Sequence, residues 1–95
     1  SVGVIDITAI DWTMGQNIPN PASTITKVPY DVPQEGTIVF KVMSVNGQLL
    51  YKEDINASAG SQYLELNTDN LSNGIYYYSM EYKGQRIVKK LTIQK

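Results

Sequence analysis

The sequence predicts an all-β domain in which two packed antiparallel sheets hold about seven short strands. Three observations carry that expectation. Runs rich in β-branched and aromatic residues alternate with polar positions at a period of two, as half-buried strands do. Clusters of Gly, Pro, Asn and Ser separate those runs at the spacing of a sandwich. No stretch repeats apolar residues at a helical period. At 95 residues the chain supports one core, with a net stability of about 5–10 kcal/mol and little margin.

Composition narrows the chemistry. Hydrophobic residues make up 42% and charged residues 18%, ordinary for a globular chain, and no apolar run approaches the roughly 20 residues of a transmembrane helix. Lys and Arg number 8 against 9 Asp and Glu, for a net charge of -1, so nucleic acid is not expected as a partner. There is no cysteine and no histidine, which removes thiol nucleophiles, disulfides, Ser-His triads and the usual zinc ligands together. No cofactor is expected. The lack of cysteine leaves the compartment open, because a secreted domain with an adequate core does without disulfides. The chain opens at Ser1 without an initiator methionine or a signal peptide, and we expect a piece of a larger protein.

Residues 2–10 alternate only in part; a short strand and an extended linker both fit, and the strand is preferred. Residues 11–16 break the alternation. Trp12 is expected to pack over the end of the sandwich rather than to stand out as a ligand platform. Pro19 and Pro21 hold Ile18 and Asn20 out of the helical region, and Asn20 can cap a turn with its own side chain. In residues 23–32, Val28, Tyr30 and Val32 alternate with Lys27, Pro29 and Asp31. Pro29 withholds a ladder hydrogen bond, so this strand is placed at a sheet edge. Residues 33–36, Pro-Gln-Glu-Gly, read as a turn.

Residues 37–44 set Ile38, Phe40 and Val42 on one face and Lys41 and Met43 on the other. Asn46-Gly47, both tolerant of positive φ, marks a hairpin. A loop of two residues would place Val42 opposite Tyr51 and Ser44 opposite Leu49. The returning strand, residues 48–55, would then carry Leu49, Tyr51, Glu53 and Ile55 on the Phe40 face. Residues 56–60 form a small-residue loop, and residues 63–67 a short strand with Leu64 and Leu66 inward. Thr68-Asp69-Asn70 leads into a corner at Leu71.

Beyond Leu71, two strands flank a tight turn at Lys83-Gly84-Gln85. On the first, Tyr76, Tyr78, Met80 and Tyr82 share the core face and Tyr77 looks outward. Leu71-x-x-Gly74-x-Tyr76 resembles the corner of immunoglobulin-like sandwiches, where a tyrosine ties its hydroxyl back to nearby backbone. The expected fold class is therefore an immunoglobulin-like β-sandwich. On the last strand Ile87, Leu91 and Ile93 alternate with Val88, Lys90, Thr92 and Gln94. Lys89 interrupts the apolar face, which calls for a strand end, a bulge or a long stem reaching solvent.

Nothing in this pattern suggests catalysis. The carboxylates are scattered over turns and solvent faces, with no pair spaced for one cleft, and no nucleophile has a base beside it. Asp69 and Asn70, near Asn67, offer too few oxygens for calcium. Asn56-Ala57-Ser58 has the form of a glycosylation acceptor, which matters only on a eukaryotic secretory route. No enzyme activity and no metal site are expected.

What stands out is an order of short motifs. Pro19-Asn20-Pro21 comes first, the strand carrying Val42 runs into Asn46-Gly47, Leu71-x-x-Gly74-x-Tyr76 turns a corner, and Gly84 precedes Lys89-Lys90-Leu91 and Lys95. From about Ile18 to Lys95 this resembles the C-terminal sorting domains, type A-like, of the type IX (Por) secretion system, the outer-membrane export route of Bacteroidetes such as Porphyromonas. Residues 1–13 match nothing in that pattern. The resemblance implies a linker or extra strand over residues 1–17 and a sorting domain over residues 18–95. It also implies a signal that takes a cargo protein from the periplasm across the outer membrane to the cell surface or beyond. A sortase-like peptidase typically removes such a domain and joins the cargo to an anionic lipopolysaccharide.

Partners implied by the resemblance are the outer-membrane translocon, its shuttle proteins, that peptidase and an N-terminal cargo domain in the same chain. Gly84, Lys89, Lys90 and Lys95, with the Lys95 carboxylate, are the recognition residues expected. Pro19, Asn20, Pro21, Gly47, Leu71, Gly74 and Tyr76 are the family-motif and fold residues. Those lysines also serve as ordinary edge protection in any sandwich. A fibronectin-like spacer or a carbohydrate-binding module is the competing reading; it requires an exposed aromatic strip. A homodimer could form through an edge such as residues 28–32 or through a swapped N-terminal arm.

Overall fold

The computed structural model describes residues 11–95, so the strand expected over residues 2–10 lies outside the described residues. The strands are β1 (Thr13–Met14), β2 (Ile25–Val32), β3 (Gly36–Ser44), β4 (Leu49–Ala57), β5 (Gly60–Asn67), β6 (Gly74–Tyr82) and β7 (Gln85–Ile93). No helix occurs among the described residues. One sheet has the order β1-β2-β5 and the other β4-β3-β6-β7, with every strand pairing antiparallel. A three-plus-four sandwich whose sixth strand opens on a tyrosine corner is the immunoglobulin-like arrangement expected.

Period-two alternation builds the core directly. Val28, Tyr30, Val32 and Leu66 face inward from one sheet; Ile38, Phe40, Val42, Tyr78, Met80, Tyr82, Leu91 and Ile93 face them from the other. Each such side chain contributes about 1.5–3 kcal/mol relative to exposure. Phe40 lies 6.1 Å from the Tyr78 ring and 6.3 Å, edge-on, from that of Tyr51. Trp12 is 2% exposed and meets Tyr82 edge-on at 5.7 Å, closing one end of the sandwich as anticipated. Tyr77 points outward, also as anticipated.

Several local expectations are corrected. Residues 11–16 are not a simple break, because Thr13 and Met14 pair with Asp31 and Tyr30. As a result β2 is not an edge strand: it lies between β1 and β5, and residues 28–32 offer no free edge for pairing two chains. Pro29 is tolerated because β1 is so short. Its carbonyl accepts from Gly15 N at 2.8 Å, and the next backbone pairing on that side is Ile18 with Lys27. The missing N–H faces the gap between those two contacts.

The β3–β4 loop differs too. Ser44 O accepts from Gly47 N at 2.9 Å and Ser44 N donates to Gln48 O at 2.9 Å, so Val45, Asn46 and Gly47 (φ +86°) form the loop. Val42 still faces Tyr51, but Leu49 pairs with Met43 rather than Ser44, and Leu50 is the extra residue of a bulge. Leu49 thereby moves to the outer face with Met43. At its other end β4 runs on to Ala57, leaving only Ser58 and Ala59 between it and β5. Lys89 pairs with Tyr78 in unbroken register and is half-buried, so of the three explanations the solvent-reaching stem holds.

The corner forms as the motif indicates. The Tyr76 hydroxyl donates to Ser72 O at 2.7 Å, and Leu71 packs against the core. Tyr76 itself is half-buried rather than fully in the core. Gly74 has φ +151° and starts β6; Gly84 has φ +78° in a turn with Lys83 at φ +50°. A Cβ at either glycine would meet no other group within 4 Å, so the cost of substitution is one of backbone conformation. Tyr76→Ala is expected to lower the unfolding free energy by about 3 kcal/mol, from lost ring burial and the lost corner bond; a melting temperature equal to that of the parent would show the corner to be dispensable. Gly74→Val is expected to cost more than Gly84→Ala, since the latter is a single left-handed alanine worth about 1–2 kcal/mol. Urea titration of both variants ranks them, and a reversed order would refute the assignment.

Candidate functional site

Among the described residues β7 is the last strand of its sheet, its ladder pairing being with β6. Its other side is met at one end by a segment from the start of the described chain. Gln16 Nε2 donates to Lys90 O at 2.6 Å and Thr92 N donates to Asn20 Oδ1 at 3.3 Å. Ala22 N donates to Thr92 O at 2.8 Å and Gln94 N to Ala22 O at 2.9 Å, a parallel bridge that leaves Ala22 fully buried. Residues 16–22 therefore latch the edge of β7 from Lys90 to Gln94. Alternation puts the backbone of Arg86 and Val88 on the same side, where it has no partner among the described residues.

A small polar cluster shapes that segment. Ile18-Pro19 and Asn20-Pro21 are both cis. Pro19 O accepts from Asn17 Nδ2 at 3.0 Å and from Thr26 Oγ1 at 2.9 Å, and Asn17 Nδ2 also reaches Thr26 Oγ1 at 3.1 Å. Asn17 is 2% exposed and Thr26 0%, so these bonds satisfy groups that water cannot reach. The Tyr78 hydroxyl completes the cluster: it donates to Gly15 O at 2.9 Å and accepts from Asn17 N at 2.9 Å. Burial pushes the Tyr78 phenol up to about 12, against a smaller opposite effect from the Asn17 N–H.

The expected recognition residues do not converge. Gly84 sits in the β6–β7 turn, and Lys95 lies beyond the opposite end of β7, roughly 30 Å or more away at strand rise. Between them Lys89 lies on the core-facing side and Lys90 on the outer side, opposite Tyr77. Lys95 N donates to Asn73 Oδ1 at 2.9 Å and Lys95 Nζ to Asp69 O at 3.2 Å, fastening residue 95 to the Leu71–Gly74–Tyr76 corner. Pro19, Asn20 and Pro21 are brought to the far end of β7, whereas Gly47 stands apart in the β3–β4 loop. Sequence reasoning missed Gln16, Asn17, Thr26 and the second role of Tyr78. The available signal was Thr26, a polar residue in the inward series Thr26, Val28, Tyr30, Val32.

The exposed tyrosines make no strip. Tyr77 is on the outer face of the four-stranded sheet and Tyr63 pairs with Pro29 on the outer face of the other sheet. Tyr51 lies at the β4 edge with its hydroxyl on Glu53 Oε1 at 2.6 Å. No group of three or more potential metal ligands occurs among the described residues.

These features define a class: an immunoglobulin-like β-sandwich module whose final strand is latched by its own leading segment. The model of the secretion system C-terminal sorting domain matches residues 17–94, and the chain belongs to that family, the sorting domains of type IX secretion. The match begins at Asn17 and ends at Gln94, so it contains the Pro19–Pro21 motif, Ala22 and the edge of β7 that Ala22 bridges. No match was found among curated proteins or among solved structures. Membership makes the domain a sorting signal that interacts with the type IX machinery and directs export across the outer membrane, to the surface or the extracellular space.

The Tyr78 phenol gives the latch a pH signature. Its folded value of about 12 lies above the ordinary 10.0, so between these limits the folded chain keeps a proton that the unfolded chain has lost. The stabilisation is complete below about pH 10 and declines as the pH rises toward 12. Tyr78→Phe is expected to be less stable by about 1–3 kcal/mol at pH 8, because Asn17 N loses a buried acceptor. The gap between parent and variant should shrink above pH 10, which paired urea titrations at several pH values would measure; a constant gap would show that Tyr78 titrates as in water.

Proposed function

We propose that this chain is a passive folded address for type IX secretion, with no catalysis of its own, read at the surface where its latched last strand meets its corner. One observation carries the reading most: the family match spans both partners of the latch, the Pro19–Pro21 segment and β7, which lie some 70 residues apart in sequence and side by side in the fold. In this reading residues 18–95 are the sorting domain and residues 1–17 its lead-in, to which an N-terminal cargo domain is joined. The translocon and its shuttle proteins engage the domain in the periplasm through Lys89, Lys90, Lys95 and the Gly84 turn. A sortase-like peptidase then severs it from the cargo and attaches the cargo to the cell surface.

The geometry supports a two-part recognition. Lys90 and Lys95 are exposed at the latched end, and the backbone of Arg86 and Val88, which has no partner among the described residues, lies toward the turn. A partner strand adding there would stop where Gln16 and Ala22 already occupy the edge. The competing reading, a carbohydrate-binding module, lacks its aromatic strip.

Deleting Gln94 and Lys95 separates recognition from stability. The deletion removes three hydrogen bonds, to Ala22 O, Asn73 Oδ1 and Asp69 O, while Leu91 and Ile93 stay in the core. A loss of about 1–2 kcal/mol is expected, or several degrees in melting temperature. Export of a reporter fused ahead of the domain in a type IX-competent cell should fall to background. Unimpaired export would eliminate the end-reading mechanism, and failure of the intact domain to export the reporter would count against the address reading as a whole.

A further inference from the structure

Among the described residues the sandwich is open along one side. β4 closes one sheet and β5 the other, joined through Ser58 and Ala59, and at the opposite end of these strands lies a cleft of about 450 Å³. Val42 and Leu66, buried core residues, form its floor, and Leu71 walls one side. Leu50 and Tyr51 stand on its lip at the bulge, 40% and 43% exposed. These are apolar groups that the fold leaves in water although core surface lies beside them.

The rim has one sign of charge. Glu65 and Asp69 line it together with the Asn67 and Asn70 amides, and no lysine or arginine among the described residues does. Both carboxylates are on exposed residues and neither takes part in an ion pair; the ion pair formed among the described residues is Lys52–Asp54 at 3.8 Å. Lys27 is in register with Glu65, and Lys95 Nζ binds the Asp69 carbonyl rather than its carboxylate. Glu53, beside the lip, holds the Tyr51 hydroxyl. β5 ends its sheet, so one side of its backbone has no ladder partner among the described residues.

We propose that this cleft docks an extended peptide that sets a leucine- or valine-sized side chain over Val42 and Leu66 and a lysine or arginine beside Glu65 and Asp69. The apolar floor selects the anchor, the acidic rim selects the flanking cation, and the free edge of β5 suits a strand-like backbone. The site adjoins the corner through Leu71 and Asp69, and its apolar floor lies on β3 and β5 rather than on β7; it does not depend on the secretion reading.

The test is a titration of the ¹⁵N-labelled domain with the peptide acetyl-TKLKVT-amide, alongside the same peptide with both lysines replaced by glutamate. Saturable shifts confined to the amides of Leu50, Tyr51, Leu66, Asn67 and Asn70 are expected, weakening at least about fivefold with the glutamate peptide and again in high salt. Leu50→Ser and Asp69→Asn should each weaken binding by about fivefold or more while leaving the melting temperature unchanged, since both residues are exposed. Absence of saturable shifts up to about 5 mM peptide, equal binding of the glutamate peptide, or shifts centred on the β7 edge would overturn the proposal. So would concentration-dependent shifts of the same amides without peptide, which would make a second copy of the chain the occupant.

Discussion

Three phenol hydroxyls on one strand hold this fold's irregular parts in place. β6 runs between β3 and β7, and its Tyr76, Tyr78 and Tyr82 donate to Ser72 O, Gly15 O and Gln34 O at 2.7, 2.9 and 2.7 Å. Each ring packs against the sandwich while its hydroxyl satisfies a carbonyl in a segment that has no ladder of its own. One strand thereby fixes the corner, the leading segment and the β2–β3 turn. The latch depends on the middle bond, because Tyr78 positions residues 15–17 and these lead directly into the prolines and Ala22.

That dependence makes the latch asymmetric. On the side of the leading segment the polar cluster of Asn17, Thr26 and Pro19 O is buried, so loss of one partner strands another group away from water. On the side of β7 the bonds from Gln16 Nε2 to Lys90 O and from Thr92 N to Asn20 Oδ1 are solvent-exposed and individually weak. The segment is thus a firm surface against which β7 rests through Ala22, with Leu91 and Ile93 held in the core, while Gln94 and Lys95 beyond them are exposed.

Much of the fold was legible in the sequence because it rests on local alternation. The inward series Ile38-Phe40-Val42, the outward Tyr77 and the tyrosine corner need only a period of two and one motif. What failed was set by distant contacts. Pro29 spoke for an edge, but two residues of β1 cover the neighbouring positions of β2, and nothing local to Pro29 announces them. Asn46-Gly47 correctly marked a hairpin, yet the choice between a loop of two and one of three residues turned on a bulge at Leu50, where Leu49, Leu50 and Tyr51 are all exposed and burial does not select the register. The order of Pro19-Asn20-Pro21, Leu71-x-x-Gly74-x-Tyr76 and Lys89-Lys90 was visible along the chain. That the first two come together at one end of β7 was not, since this is made by bonds such as Asn20–Thr92 across 72 positions and Lys95–Asn73.

The latch also bears on the order of synthesis. A ribosome makes residues 16–22 before β7, so Ala22 has no strand to rest on, and the core lacks Leu91 and Ile93, until β7 has emerged. A chain interrupted before β7 presents neither the closed edge nor the fastened corner. A sorting domain of this construction is complete only once its seventh strand has been made.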